Sequence, residues 1–228
     1  MYNENVMVVT SEVKSKSTHF DIRKMLYRGV KRGMDIVLSL VGLIVLSPLL
    51  VIVAILIKLD SKGPVFIDQK RIGKDGKLFK IFKFRSMVNH GEEILEKLMM
   101  YSPAIREEYL QNKKLANDPR ITRIGAFIRK TSIDELPQLI NVLIGNMTLV
   151  GPRPYLPREK KDMGIDYLTI SRMTPGLTGP WQVGGRSNTS FEDRCMLDVD
   201  YYINRSLSLD LSILLKTVQV VFKKNGAK

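Results

Sequence analysis

IVLSLVGLIVLSPLLVIVAILI, from Ile36 to Ile57, is 22 residues long and carries no charged side chain. About 20 apolar residues suffice for a helix to cross the hydrocarbon of a bilayer. A soluble core helix is rarely apolar on every face over that length. A cleaved export signal is argued against by the late start of the run and by the LIKLDSKGP that closes it, which is no small-residue cleavage site. Ser47-Pro48 falls at the centre. Proline removes a backbone donor and clashes with the carbonyl four residues back, so a kink or break is expected there, a kinked spanning helix being the ordinary alternative.

The flanks weigh on that choice. Lys31 and Arg32 precede the run, and Lys58, Lys62, Lys70 and Arg71 follow it. Positively charged residues stay on the cytoplasmic side, so both ends read as cytoplasmic. A straight span cannot satisfy this, whereas a re-entrant helix-break-helix hairpin can. Each half would be about 16 Å long at 1.5 Å per residue and would dip into one leaflet.

Working outward, residues 1–20 are polar and aperiodic and are expected to form a flexible tail. Residues 21–60 form the interfacial and re-entrant membrane helix. Its first part sets Arg23, Lys24, Arg28, Lys31 and Arg32 among Ile22, Met25, Leu26, Tyr27 and Val30, suited to anionic headgroups. Residues 61–228 are one further domain with a single core. Pro64–Gly73 and Lys77–Met87 read as strands around Lys74-Asp75-Gly76, a hairpin signal. Glu92–Leu110 is helical in pattern but interrupted at Pro103, Asn117–Arg120 is a turn, and ITRIGAFIRK is a basic amphipathic stretch. Asp134–Ile144 reads as a helix, Asn146–Arg153 and Gly176–Asn188 as loops, and Phe191–Lys224 as closing helices. The fold class is mixed α/β, mostly helical, with a short β-hairpin.

The formal charge of +13 and a pI near 9.8 call for an anionic partner: nucleic acid, phospholipid or a phosphorylated substrate. Charge alone does not choose. With one cysteine, Cys195, and two distant histidines, His19 and His90, neither a disulfide nor a Cys/His zinc site is available. Cys195 reads as a small space-filling side chain.

The densest polar constellation is Arg129-Lys130-Thr131-Ser132-Ile133-Asp134-Glu135-Leu136-Pro137-Gln138. Ser132 and Glu135 match a capping box, while Pro137 favours a later start with Asp134 as N-cap. Either way two carboxylates stand at a helix N-terminus beside Arg129 and Lys130, pointing about 100° apart and so fitted for different tasks. The free N–H groups there stabilise a carboxylate and equally attract a phosphate. An acid nucleophile and a phosphate electrophile could therefore share this place; plain helix capping is the alternative. Lys83-Phe84-Arg85, Arg153 in Gly151-Pro152-Arg153-Pro154, and Arg186 after Gly184-Gly185 add cations in rigid loops. Together with a membrane anchor they point to a diphosphate substrate.

Four stretches taken in order, KRGMDIVLSLVGLIVLSPLL, GPVFIDQKRIGKDGKLFKIFKFRSM, NDPRITRIGAFIRKTSIDELPQLINVLIGNMTLVGPRP and TPGLTGPWQVGGRSN, carry a resemblance from about Arg28 to Thr217. The chain resembles the monotopic phosphoglycosyl transferases, the bacterial sugar transferase family. The resemblance implies a re-entrant break at Ser47 and Pro48 and a catalytic domain on the cytoplasmic face of the bacterial inner membrane. It implies Asp134 as nucleophile on the β-phosphate of a UDP-sugar, giving a phosphosugar-aspartate and UMP, and Glu135 as holder of Mg²⁺. Lys83, Arg85, Arg129 and Arg153 would contact phosphate or organise the site. The acceptor would be polyprenol (undecaprenyl) phosphate, the donor UDP-galactose or UDP-glucose, and the outcome the start of exopolysaccharide or glycoconjugate assembly.

No role for Asp198 or Asp210 follows, and a homodimer is compatible with the resemblance. Larger family members carry further spans and a nucleotide-binding-like domain, so the short segment before the apolar run suggests the small catalytic form. A polytopic transferase would need more than one apolar run. A membrane-anchored nucleic-acid-binding scaffold would leave Asp134 and Glu135 dispensable; the expectation is no nucleic acid.

Overall fold

The computed structural model describes residues 3–112, 115–184 and 189–222. After α1 (Asn3–Asp60) the chain forms a hairpin of β1 (Lys70–Ile72) and β2 (Leu78–Lys80), antiparallel with Arg71 opposite Phe79. Asp75 and Gly76 in the connection have φ of 56° and 75°, the left-handed pair that a tight hairpin turn demands and Asp-Gly supplies. Pairing continues past the named strands, with Ile81 N donating to Gln69 O, Ile67 N to Lys83 O and Arg85 N to Val65 O. The long strand candidates are thus one extended ladder.

Next come α2 (Gly91–Tyr101) and α3 (Pro103–Asn112), separated at Ser102 as Pro103 requires, then α4 (Arg123–Lys130) and α5 (Gln138–Ile144). Two predicted loops prove to contain strands: β3 (Thr148–Val150) pairs in parallel with β4 (Gly176–Thr178). α6 (Asp166–Ile170) lies between them. The glycines made these segments look irregular, but a side chain at Gly176 would overlap the Gly151 backbone, so the close pairing itself requires glycine. α7 (Pro180–Gly184), α8 (Phe191–Asn204) and α9 (Leu207–Phe222) follow. The main core gathers Leu139, Val142, Met147, Leu149, Val150, Tyr201 and Ile213 around β3, and a second cluster packs Ile72, Tyr155, Met163, Ile170 and Cys195.

α1 differs from its expectation in two ways. The helix is not interrupted at Ser47-Pro48. Proline leaves the Ile44 carbonyl without its helical donor, and Ser47 Oγ donates to that carbonyl at 2.8 Å, offsetting the loss locally. The polar N-terminal segment is helical from Asn3, which is possible because residues 3–20 contain neither proline nor glycine.

A stripe along α1 fastens it to the rest of the protein. Tyr27, Lys31, Asp35 and Ser39 recur at four-residue spacing, so they share one face. Tyr27 Oη and Lys31 Nζ donate to Asp210 Oδ2 at 3.0 and 2.8 Å, and Tyr201 Oη donates to Asp210 Oδ1 at 2.5 Å. Arg32 donates to the Val142 and Leu143 carbonyls at 2.6 and 2.8 Å, satisfying orphan groups at the end of α5. Asp35 Oδ1 accepts from Leu149 N at 2.8 Å. Leu43 and Leu46 then pack on the main core, and Val53 and Ile57 bury against Phe84 and Ile128. At the far end Asp60 Oδ2 accepts from Ile124 N in the first turn of α4 at 3.0 Å.

The outer face of α1 carries exposed Val37, Val41, Ile44, Val45, Ile52 and Ile55. Residues Ile22–Asp60 are long and apolar enough to cross a membrane by length and composition, and only 11% of the most apolar window is buried, unlike a soluble core helix.

Asp210 is fully buried and receives donors from α1 and α8. Its removal strands the Lys31 ammonium and two tyrosine hydroxyls. Asp210→Ala should lower the unfolding free energy by about 3–5 kcal/mol in detergent-solubilised protein. A urea melt that moves by less than about 1 kcal/mol would refute this anchoring role.

Candidate active site

Near the end of the extended hairpin ladder, Phe84 N donates to the Asp134 carbonyl at 3.0 Å. That bond pins the segment after α4 to the hairpin. There the chain makes a 3-10 turn over Ile133–Glu135, entered through Ser132 at φ 58°. The capping reading is corrected here: the Ser132 side chain makes no cap bond, and α5 starts only at Gln138 behind Pro137. A left-handed residue and a proline divide what reads in sequence as one helix.

The turn brings both carboxylates to one ammonium. Lys83 Nζ lies 3.0 Å from Asp134 Oδ2 and 3.0 Å from Glu135 Oε1. The Asp134 side chain is 5% exposed and that of Glu135 is 44% exposed, so one acid is enclosed and the other faces outward. Burial pushes the Asp134 carboxyl above the usual carboxylate range and Glu135 adds to this, while Lys83 and, more weakly, Arg129 pull it back. Arg129 and a helix terminus alone therefore do not hold Asp134 as a low-pKa anion. For Glu135, burial acts upward, but Lys83, Arg153 and Arg71 outweigh it and leave the pKa below its ordinary value. Burial depresses the Lys83 pKa, yet the two acids prevail and raise it. The cluster is thus an ammonium shared by a hidden carboxyl of raised basicity and a half-buried carboxylate of lowered pKa.

The other sequence-predicted residues separate. Arg153 acts electrostatically on Glu135, its guanidinium 5.0 Å from the centre of the Trp181 ring. Arg129 closes α4. Arg85 is buried and spends its guanidinium on α1: it donates to the Ser61 carbonyl at 2.7 Å, to that of Ile57 at 3.4 Å and to that of Lys62. It terminates a helix, as an arginine among orphan carbonyls does well. Ser47 and Pro48 lie in α1, far along the chain from this cluster, and Arg186 lies outside the described residues.

Three residues not assigned to the site from sequence, Arg71, Arg194 and Trp181, join the cluster. Arg71 donates to the Pro154 carbonyl at 2.9 Å and to Gln69 Oε1 at 2.6 Å, tying the Gly-Pro-Arg-Pro loop to the hairpin. Burial and neighbouring Arg153 bring its pKa down to about 10, still charged at neutral pH. Arg194 stacks over Trp181 at 5.1 Å, so the ring lies close to two guanidinium groups. A lone tryptophan in a Gly-Pro loop was the available signal.

Asp198 holds the same loop from below. Its Oδ2 accepts from Arg153 N at 3.1 Å and Tyr155 Oη at 2.9 Å, while Oδ1 has no partner among the described residues. Asp198 and Asp210 thus act in positioning, the first under Arg153, the second under α1. Cys195 is buried 3.8 Å from Tyr155 Oη, and burial pushes its thiol up to about 11, so it fills space.

Among the described residues no three His, Cys, Asp or Glu side chains converge as a metal cage. Glu135 nonetheless fits a hard cation of one particular kind. Its side chain is open to solvent and only Oε1 is engaged by Lys83, which suits Mg²⁺, an ion that keeps several waters and takes one or two carboxylates plus substrate phosphates.

Fold and site together describe a protein with a helix suited to a membrane and, beside it, an acid–ammonium centre ringed by arginines, as phosphate chemistry requires. The chain belongs to the bacterial sugar transferase family, whose model matches residues 26–224. It is 42% identical over 230 residues to an undecaprenyl-phosphate galactose phosphotransferase of Salmonella typhimurium, covering 100% of this chain and 48% of that protein. It is 41% identical over 197 residues to the exopolysaccharide production protein ExoY of Rhizobium meliloti, covering 86% and 87% respectively. With the UDP-glucose:undecaprenyl-phosphate glucose-1-phosphate transferase of Escherichia coli it shares 38% identity over 208 residues, 88% of this chain and 42% of that one. The chain spans about half the length of the Salmonella and Escherichia proteins.

Burial raises the Asp198 pKa to about 7. Between about pH 4 and pH 7 the folded protein keeps a proton that the unfolded chain has released, so this group makes stability fall as pH rises through that window. Asp198→Asn removes the ionisation and should gain about 2–3 kcal/mol on the wild type between about pH 5 and pH 8. Urea melts at both pH values check this, and a constant gap would contradict it.

Proposed function

We propose that this protein is a phosphoglycosyl transferase that moves a sugar 1-phosphate from a UDP-sugar to polyprenol phosphate, with UDP-galactose or UDP-glucose as donor. The observation that carries the reading is the enclosed Asp134 carboxyl against Lys83 and the exposed Glu135. A carboxylate oxygen of Asp134 attacks the β-phosphorus; the bond to the UMP oxygen breaks and its electron pair leaves with UMP. The resulting acyl phosphate is then attacked at the same phosphorus by an oxygen of the lipid phosphate, and Asp134 is released. One site can so serve a water-soluble donor and a lipid acceptor in turn.

The raised pKa of Asp134 makes its anion the better nucleophile, and Lys83 keeps that anion populated. Arg71, bonded to the Pro154 carbonyl, Arg153, bonded through its backbone to Asp198, and Arg194, stacked on Trp181, would offset the diphosphate charge as it transfers. Glu135, with Asp134 nearby, would hold Mg²⁺, which supplies charge neutralisation on the phosphoryl oxygens.

The membrane reading has its own support. Tyr27 to Asp35 and Asp60 bind the same domain, and the charge-free run lies between them. A helix whose two ends and inner face all hold to one polar domain does not carry those ends to opposite sides of a bilayer, so α1 is read as entering the membrane from one side, its apolar outer face in the lipid and the domain cytoplasmic.

UMP release from a panel of UDP-sugars, with polyprenol phosphate and Mg²⁺, tests the activity. Asp134→Asn should lower turnover by roughly a thousandfold or more while the protein stays folded. Glu135→Gln and EDTA should each abolish it, Mg²⁺ restoring the chelated enzyme. Full turnover by Asp134→Asn would overturn the reading.

A further inference from the structure

A second polar cavity, of about 250 Å³, opens between the start of α1 and the face built by β3 and the loops before β4 and α9. Six cations line it: Arg28, Lys31, Arg32, Lys74, Arg172 and Arg205. They come from four separate segments of the chain, so the cluster is a product of the fold. Against them stands one carboxylate, Asp35, whose Oδ1 is occupied by Leu149 N. Lys31 and Arg32 spend their donors inside the protein. Arg28, Lys74, Arg172 and Arg205 make no ion pair among the described residues. A mouth held this positive and left without anions is built for one.

The cavity is not the catalytic site. It lies at the Gly145 end of α5, whereas Asp134 and Glu135 precede the other end, and a helix of that length is about 10 Å long. Its position also tells what kind of anion reaches it. Arg28 and Lys31 stand eight and five residues before Ile36, where the charge-free run begins, and the outward side chains of that run are exposed. The cavity therefore stands at the level where α1 passes from its basic to its apolar part, which is where headgroup phosphates lie at a membrane surface.

We propose that this cavity binds the phosphate of an anionic phospholipid headgroup of the phosphatidylglycerol kind, seating the start of α1 at the membrane surface. The proposal rests on the membrane placement of α1 argued above, and it adds a lipid site separate from donor and acceptor.

Native mass spectrometry of the full chain in detergent tests it, with phosphatidylglycerol, phosphatidylcholine of matched chains, polyprenol phosphate and inorganic phosphate as probes. Phosphatidylglycerol should be retained over phosphatidylcholine by about fivefold or more, and the exposed-rim double variant Arg28→Gln/Arg172→Gln should lose that preference. Lys74→Gln, on the hairpin turn, should show a partial loss and serves as second variant if the pair fails to fold. Asp134→Asn should leave the preference intact. An unchanged preference in the rim variants overturns the proposal. So does polyprenol phosphate bound better than phosphatidylglycerol through the same arginines, or inorganic phosphate displacing the lipid at equal concentration. Because binding is read without turnover, an inactive protein that keeps the preference would sink the transfer reaction and leave the lipid site standing.

Discussion

A single helix has to keep 22 uncharged residues away from water while both of its ends remain bonded to the same polar domain. Asp210 fixes one end by gathering Lys31, Tyr27 and Tyr201, and Asp60 with Arg85 fixes the other. Between them, Arg32 and Asp35 bond to the end of α5 and to β3, the elements around which the main core closes. The outer face is left apolar and open. Nothing inside the described residues covers that face, and a lipid phase is the medium in which its exposure costs little.

The geometry of the proposed active site depends on that frame. Val53 and Ile57 of α1 bury Phe84 and Ile128, which sets the hairpin end against α4. Phe84 then bonds the turn that bears Asp134, and its neighbour Lys83 reaches both acids. Burial acts to protonate Asp134, and Lys83 opposes it. The nucleophilic role proposed for Asp134 would draw on both: basicity from the first and availability from the second. Glu135, exposed and held below its usual pKa, stays a carboxylate that a hard cation can use.

Much of this was legible in the sequence because its signals are local. The apolar run, the Asp75-Gly76 hairpin, the interruption at Pro103 and the Asp134-Glu135 pair each follow from neighbouring residues. What was not legible depends on partners far along the chain. Arg85 reads as a phosphate ligand until the end of α1 arrives 23 residues away in sequence to take its donors. The continuity of α1 through Pro48 depends on Ser47 bonding the freed carbonyl, and β3 and β4 look like loops because their close parallel approach demands glycine. Asp198 and Asp210 are the clearest cases. Each is an acid whose sequence neighbours give it no role, and each acquires one only when loop or helix folds onto it.

The central claim is that Asp134 becomes covalently bonded to phosphorus during turnover. Intact-mass measurement of the full chain incubated with UDP-sugar and Mg²⁺, without lipid acceptor, tests it most directly. The account predicts release of about one UMP per protein and a hexose phosphate added to the peptide containing Asp134. Release of UMP only after polyprenol phosphate is added, with no adduct on the protein, would mean direct displacement and would contradict it.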